Sequence, residues 1–145
     1  MKPKFFVLSF FILSCLFSAN LYAQANPEAI LGIWFNEEKD AKIKVYKENG
    51  KFYGKIVWHK TGPDISSFDD HNPDPELQKR KKVGLVILTD FEFDDGQWED
   101  GDIYDPKTGK TYSCTIKMQK DGSLHVRGFI GISLLGKTTH WTKAE

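Results

Sequence analysis

Apolar and polar residues alternate along most of this chain, with a period of two rather than 3.6. Tyr112, Cys114, Ile116 and Met118 fall on one side of the segment Lys110 to Gln119, and Thr111, Ser113, Thr115, Lys117 and Gln119 on the other. That spacing predicts a half-buried strand, with β-branched residues on its wet face. The same rhythm predicts strands over 31–36, 41–47, 51–60, 84–93, 97–105, 123–130 and 132–143. In the segment 51–60, Phe52, Gly54, Ile56 and Trp58 share a face. The segment 84–93 is apolar on both sides at its start, which predicts the deepest position. Glu48-Asn49-Gly50, Asp94-Asp95-Gly96, Asp105 to Gly109 and Lys120-Asp121-Gly122 supply turns at roughly ten-residue spacing.

About eight strands joined by tight hairpins predict an all-β, antiparallel meander that closes into a barrel, because closure removes the exposed edges. A barrel of this size is either filled by side chains or holds one small ligand. The hairpin rhythm breaks over 61–82, where Pro63, Pro73 and Pro75 predict a long loop. Asp74 as cap and Pro75 as first residue predict one or two helical turns through Lys79. Loops of this length often serve as lids. Gly136 is expected to mark a bend or bulge.

The first 25 residues follow a different pattern. Lys2 and Lys4 precede an apolar run from Phe5 to Phe17, and Ala23-Gln24-Ala25 has the small-x-small form of a cleavage site. These parts predict a secretory signal over 1–25, a single domain over 26–145 and a periplasmic or secreted destination. The run is too short to span a bilayer, and no transmembrane segment follows it. A rival route is lipid anchoring through Cys15, in the box Ile12-Leu13-Ser14-Cys15. The chain has 20 basic and 20 acidic residues, and removal of Lys2 and Lys4 leaves 18 against 20, a net charge of −2. That balance argues against nucleic acid as a partner. Cys114 remains as the sole cysteine of the domain, so packing must stabilise it in place of a disulfide.

Candidate chemistry is sparse. Gly32-Ile33-Trp34 resembles the lipocalin-type signature, in which the tryptophan plugs the closed end against a late basic residue, here Arg127 or Lys143. The acidic stretch Asp90 to Asp105 does not fit a calcium loop, since its sixth position is Asp95 rather than glycine. Asp69, Asp70 and His71 form a second polar cluster, but His59, His125 and His140 are distant in sequence. No G-x-S-x-G elbow and no phosphate loop occur. Cys114 alternates in phase with Tyr112 and Ile116, which predicts a buried, inert thiol. No metal or cofactor is expected. The aromatic load, including Trp34, Trp58, Trp98 and Trp141, suits either a pocket lining or a core.

A family resemblance runs through Gly32-Ile33-Trp34, Asn49-Gly50-Lys51-Phe52-Tyr53-Gly54-Lys55-Ile56, Asn72-Pro73-Asp74 and Trp98-Glu99-Asp100-Gly101. It continues through Ile103-Tyr104-Asp105-Pro106, Gly109-Lys110-Thr111-Tyr112, Arg127-Gly128-Phe129-Ile130-Gly131 and Trp141-Thr142. In these motifs the domain resembles the exported bacterial proteins grouped as domain of unknown function 2147. The resemblance implies a lipocalin-like barrel and no assigned activity.

The leading expectation is non-enzymatic binding of a small, partly apolar ligand. Phe52, Trp58, Tyr112 and Phe129 are expected to line the pocket, with Asp70 and His71 on a lid. One alternative is a protein-interaction or envelope-maintenance module with a filled barrel and an apolar patch around Tyr46, Tyr53 and Val57. Another is a hydrolase built on Asp69, Asp70 and His71.

Overall fold

A computed structural model describes residues 25–144. The expected signal segment, Ala25 excepted, and Cys15 lie outside the described residues. Eight antiparallel strands close into a barrel in chain order. They are β1 (Gly32–Phe35), β2 (Ala41–Glu48), β3 (Lys51–His59), β4 (Val86–Asp94), β5 (Gln97–Asp105), β6 (Lys110–Met118), β7 (Leu124–Phe129) and β8 (Gly136–Lys143). Last meets first through Trp34 opposite Lys143 and Phe35 opposite Thr142.

The two ends of the barrel are built differently. At one end the chain turns on tight hairpins. Asn49-Gly50 and Asp95-Gly96 both have φ positive at each residue, the geometry whose twist matches that of the strands. A 3₁₀ turn, Pro27–Ile30, corks this end. Its carbonyls accept the indole N–H groups of two core tryptophans: Trp34 Nε1 donates to Ile30 at 2.8 Å and Trp98 Nε1 to Pro27 at 3.0 Å. Trp34 also lies beneath the Lys143 ammonium, 4.6 Å from the ring centre. Lys143, not Arg127, is thus the basic partner of this tryptophan.

Large side chains fill this closed half. Trp34, Phe52, Phe91 and Trp98 are all buried, and Phe52 meets Trp98 edge-to-face at 6.4 Å. Two glycines make room: a Cβ at Gly101 would lie 2.4 Å from the Phe91 ring, and one at Gly54 would lie 2.7 Å from Leu88 Cδ1. The early part of β4 is buried on both faces only at Ile87 and Leu88; Val86, its first residue, is 43% exposed.

The opposite end carries the β1–β2, β3–β4, β5–β6 and β7–β8 connections. The long β3–β4 segment is ordered by two isolated bridges, Gly62 with Ile65 and Phe68 with Lys81. Its helical content is a single 3₁₀ turn, Leu77–Lys79. It starts at Leu77 rather than Pro75, with Glu76 and not Asp74 in the cap position; Asp74 Oδ1 instead accepts from Glu76 N at 3.0 Å in the turn that precedes it. The last strand starts later than its pattern predicts, at Gly136 rather than Ile132. The residues between form an apolar loop containing a 3₁₀ turn, Ser133–Leu135, and Ile130, within the expected strand 123–130, falls outside β7 and is 69% exposed.

Candidate functional site

Beyond the filled half, the barrel interior is hollow. A cavity of about 660 Å³ opens at the end that carries the long connections. Ile43, Ile56, Ile87, Ile103, Val126 and Trp141 supply an apolar wall. Gly128 widens it, with the Ile103 and Tyr112 side chains 3.5 Å from where its Cβ would stand. Polar groups gather at the rim, among them Asp40, His59, Lys82, Tyr104, Lys107 and Lys137. An apolar chamber with a few polar groups at its mouth is the usual form of a small-molecule site.

Two rim features have clear electrostatic content. Lys107, in the β5–β6 turn, pairs with Asp40 at 2.9 Å and with Glu38, both from the β1–β2 connection. Burial and the neighbouring Lys137 push the Lys107 pKa down, while the two carboxylates in contact with it favour the charged form. The contact geometry decides for an ion pair at neutral pH. His59 is the second feature. The residue borders the cavity, while its Nδ1 is itself buried and has no hydrogen-bond partner.

The sequence-predicted lining residues divide. Tyr112 and Phe129 border the cavity. Phe52 does not: it belongs to the packed closed half. Trp58 does not either. It lies on the outer wall, 41% exposed, edge-to-face with Phe35 at 6.5 Å. A bulge in the β2–β3 ladder is the reason. Ile56 pairs with Ile43, but Trp58 pairs with Lys42 and His59 with Ala41. Val57 is the extra residue, and the side-chain phase reverses after it. His59 therefore turns inward in place of Trp58. Regular alternation gives no sign of this shift.

Asp70 and His71 are exposed and do not border the cavity. Asp69, beside them, is fully buried. Its carboxylate accepts from Tyr104 OH at 2.6 Å, Asn72 Nδ2 at 2.9 Å, and Arg80 Nε at 3.1 Å and Nη2 at 3.0 Å. Burial first, then the bond to Asp69, push the Tyr104 pKa up to about 12. This network staples the 61–82 segment to β5. It is reinforced where the β5–β6 turn meets the segment so closely that a Cβ at Gly109 would lie 1.8 Å from the His71 carbonyl. The three residues of the expected hydrolytic set thus do not converge: Asp69 is a buried anchor, and Asp70 and His71 are surface residues.

Burial raises the Cys114 pKa to about 12, so the thiol is protonated and inert. His125 and His140 meet edge-to-face across β7 and β8 at 4.2 Å, and His140 Nδ1 lies 3.2 Å from Glu37. Among the described residues, no group of three or more His, Cys, Asp and Glu side chains is arranged to hold a metal ion. Tyr46 and Tyr53 do not form a bare patch. They stack at 5.8 Å, with Lys55 over one ring and Asp90 accepting from the other hydroxyl.

Comparison with known proteins agrees with the architecture. Residues 32–143 match the model of a family described as uncharacterized protein conserved in bacteria, DUF2147. The chain belongs to that family. Among solved structures, it is similar to protein HP1028 from the human pathogen Helicobacter pylori, described as belonging to the lipocalin family. The two are 26% identical, with a TM-score of 0.69 over 79% of this chain and 82% of that one. No curated protein matches. The DUF2147 member described here is thus a lipocalin-like closed barrel of eight strands.

Proposed function

We propose that this protein binds one small amphipathic molecule in the open half of its barrel, without chemistry. The cavity of about 660 Å³ carries the reading. Its wall takes an apolar tail, and its polar rim takes a polar head. The volume falls within the range of pockets that enclose a small organic ligand, roughly 300–1,000 Å³. The lipocalin description of HP1028 supports a ligand-binding role for the shape. The N-terminal pattern supports an exported, periplasmic protein, where envelope-derived amphiphiles are available. A filled barrel acting through its outer surface fits less well, because the open half is not packed.

Native mass spectrometry of protein purified from periplasm, together with titration of a fluorescent fatty acid, tests this. The expected result is a single bound small molecule and stoichiometric probe uptake. Ile103→Trp, which fills the chamber, should abolish uptake while the fold persists by circular dichroism. Absence of uptake by the unaltered protein, after removal of any copurified molecule, rejects the proposal.

A further inference from the structure

A charged rim and a set of exposed aliphatic side chains share the mouth end of the barrel, on different connections. The closed end turns on Glu48-Asn49-Gly50, Asp94-Asp95-Gly96 and Lys120-Asp121-Gly122. The exposed large apolar side chains among the described residues lie at the mouth end. Four of them, Ile130, Ile132, Leu134 and Leu135, stand 59–83% exposed in the β7–β8 connection alone. Trp58 at the end of β3 and Val83 just before β4 add to the same end. Soluble proteins seldom display so much aliphatic surface without a partner for it.

We propose that the mouth end docks on a lipid bilayer, with the β7–β8 loop inserted among the lipids. Charge placement favours this occupant. The nine residues Gly128 to Gly136 carry no charge and are bracketed by Arg127 and Lys137. Cations beside an apolar loop suit lipid phosphates above the acyl region. Continuity supplies a second argument. Ile130 and Leu135 are both exposed and part of the cavity lining. The oily surface of the loop therefore runs into the chamber, and an amphiphile leaving the bilayer need not cross water. This route rests on the ligand-binding reading above; docking itself does not.

The test separates the two. Ile132 and Leu134 are exposed but do not line the cavity, so the double variant Ile132→Ser, Leu134→Ser should fold and load normally. Flotation is measured with vesicles of phosphatidylcholine alone and with added phosphatidylglycerol. The unaltered protein should float with the mixed vesicles, and the double variant should bind at least tenfold more weakly while taking up dissolved fluorescent fatty acid as before. Leu134→Trp should be quenched by lipids brominated on their acyl chains. Flotation that persists without probe uptake upholds docking and removes only the ligand reading. The proposal falls if the unaltered protein floats with neither vesicle, if the double variant floats equally well, or if the double variant instead dissociates a dimer seen by sedimentation.

Discussion

The most heavily committed single residue is Asp69. A carboxylate with no exposed surface is tolerated because four donor contacts from three side chains surround it. Tyr104 is the member reached from the barrel itself. Tyr104→Phe removes one donor and should lower stability by about 1–3 kcal/mol in urea unfolding. The effect should appear first as faster hydrogen exchange in the 61–82 segment, because only that segment depends on the staple. A pH dependence follows from the same bond. An ordinary tyrosine loses its proton near pH 10, whereas Tyr104 keeps its own to about 12. A raised native pKa contributes stability that is complete below pH 10 and lost as pH rises through 12. Spectrophotometric titration should show one phenol ionising late, and its late phase should vanish in Tyr104→Phe.

At the scale of elements, the contrast between Phe52 and Trp58 shows what alternation can and cannot tell. Both sit on β3 at even spacing, and both are expected on the inner face. Phe52 is inside but in the packed half, so Phe52→Ala should cost about 3–5 kcal/mol as a cavity mutation. Trp58 is outside, so Trp58→Gln should cost less than about 1 kcal/mol and leave fatty-acid uptake unchanged. Equilibrium denaturation and probe titration of the two variants distinguish these placements. Strand count, hairpin turns and the inward face of β6 were legible because each is set by local periodicity and turn chemistry. The bulge at Val57 was not, because it is fixed by pairing with β2. His59 was missed for the same reason. Which half of the barrel is hollow was also out of reach: it depends on Gly54 and Gly101 admitting Leu88 and Phe91, and on the N-terminal 3₁₀ turn as a cork. The Asp69 cluster was noticed as polar and close in sequence, yet its partners Tyr104 and Arg80 come from 35 and 11 residues away.

At the scale of the whole molecule, the arrangement of the mouth implies a kinetic property. The β1–β2 connection and the β5–β6 turn are four strands apart in an eight-strand ring, so they face each other across the opening. Lys107 joins them through Asp40 and Glu38. A ligand entering through the middle of the mouth meets this bridge and must displace it. Partly exposed ion pairs are worth about 0–1 kcal/mol, so the bridge is a weak latch rather than a seal. Lys107→Met, which keeps the aliphatic stem and deletes the charge, should speed fatty-acid entry and exit about two- to fivefold in stopped-flow exchange. Affinity should change little, because the latch raises the barrier in both directions alike. High salt should accelerate the unaltered protein toward the variant's rate and leave the variant unaffected, since screening acts on the pair alone. Equal rates in both proteins at low salt would mean that the ligand enters elsewhere. The β7–β8 loop, whose Ile130 and Leu135 reach the chamber without crossing the ion pair, is then the path to test next by blocking it.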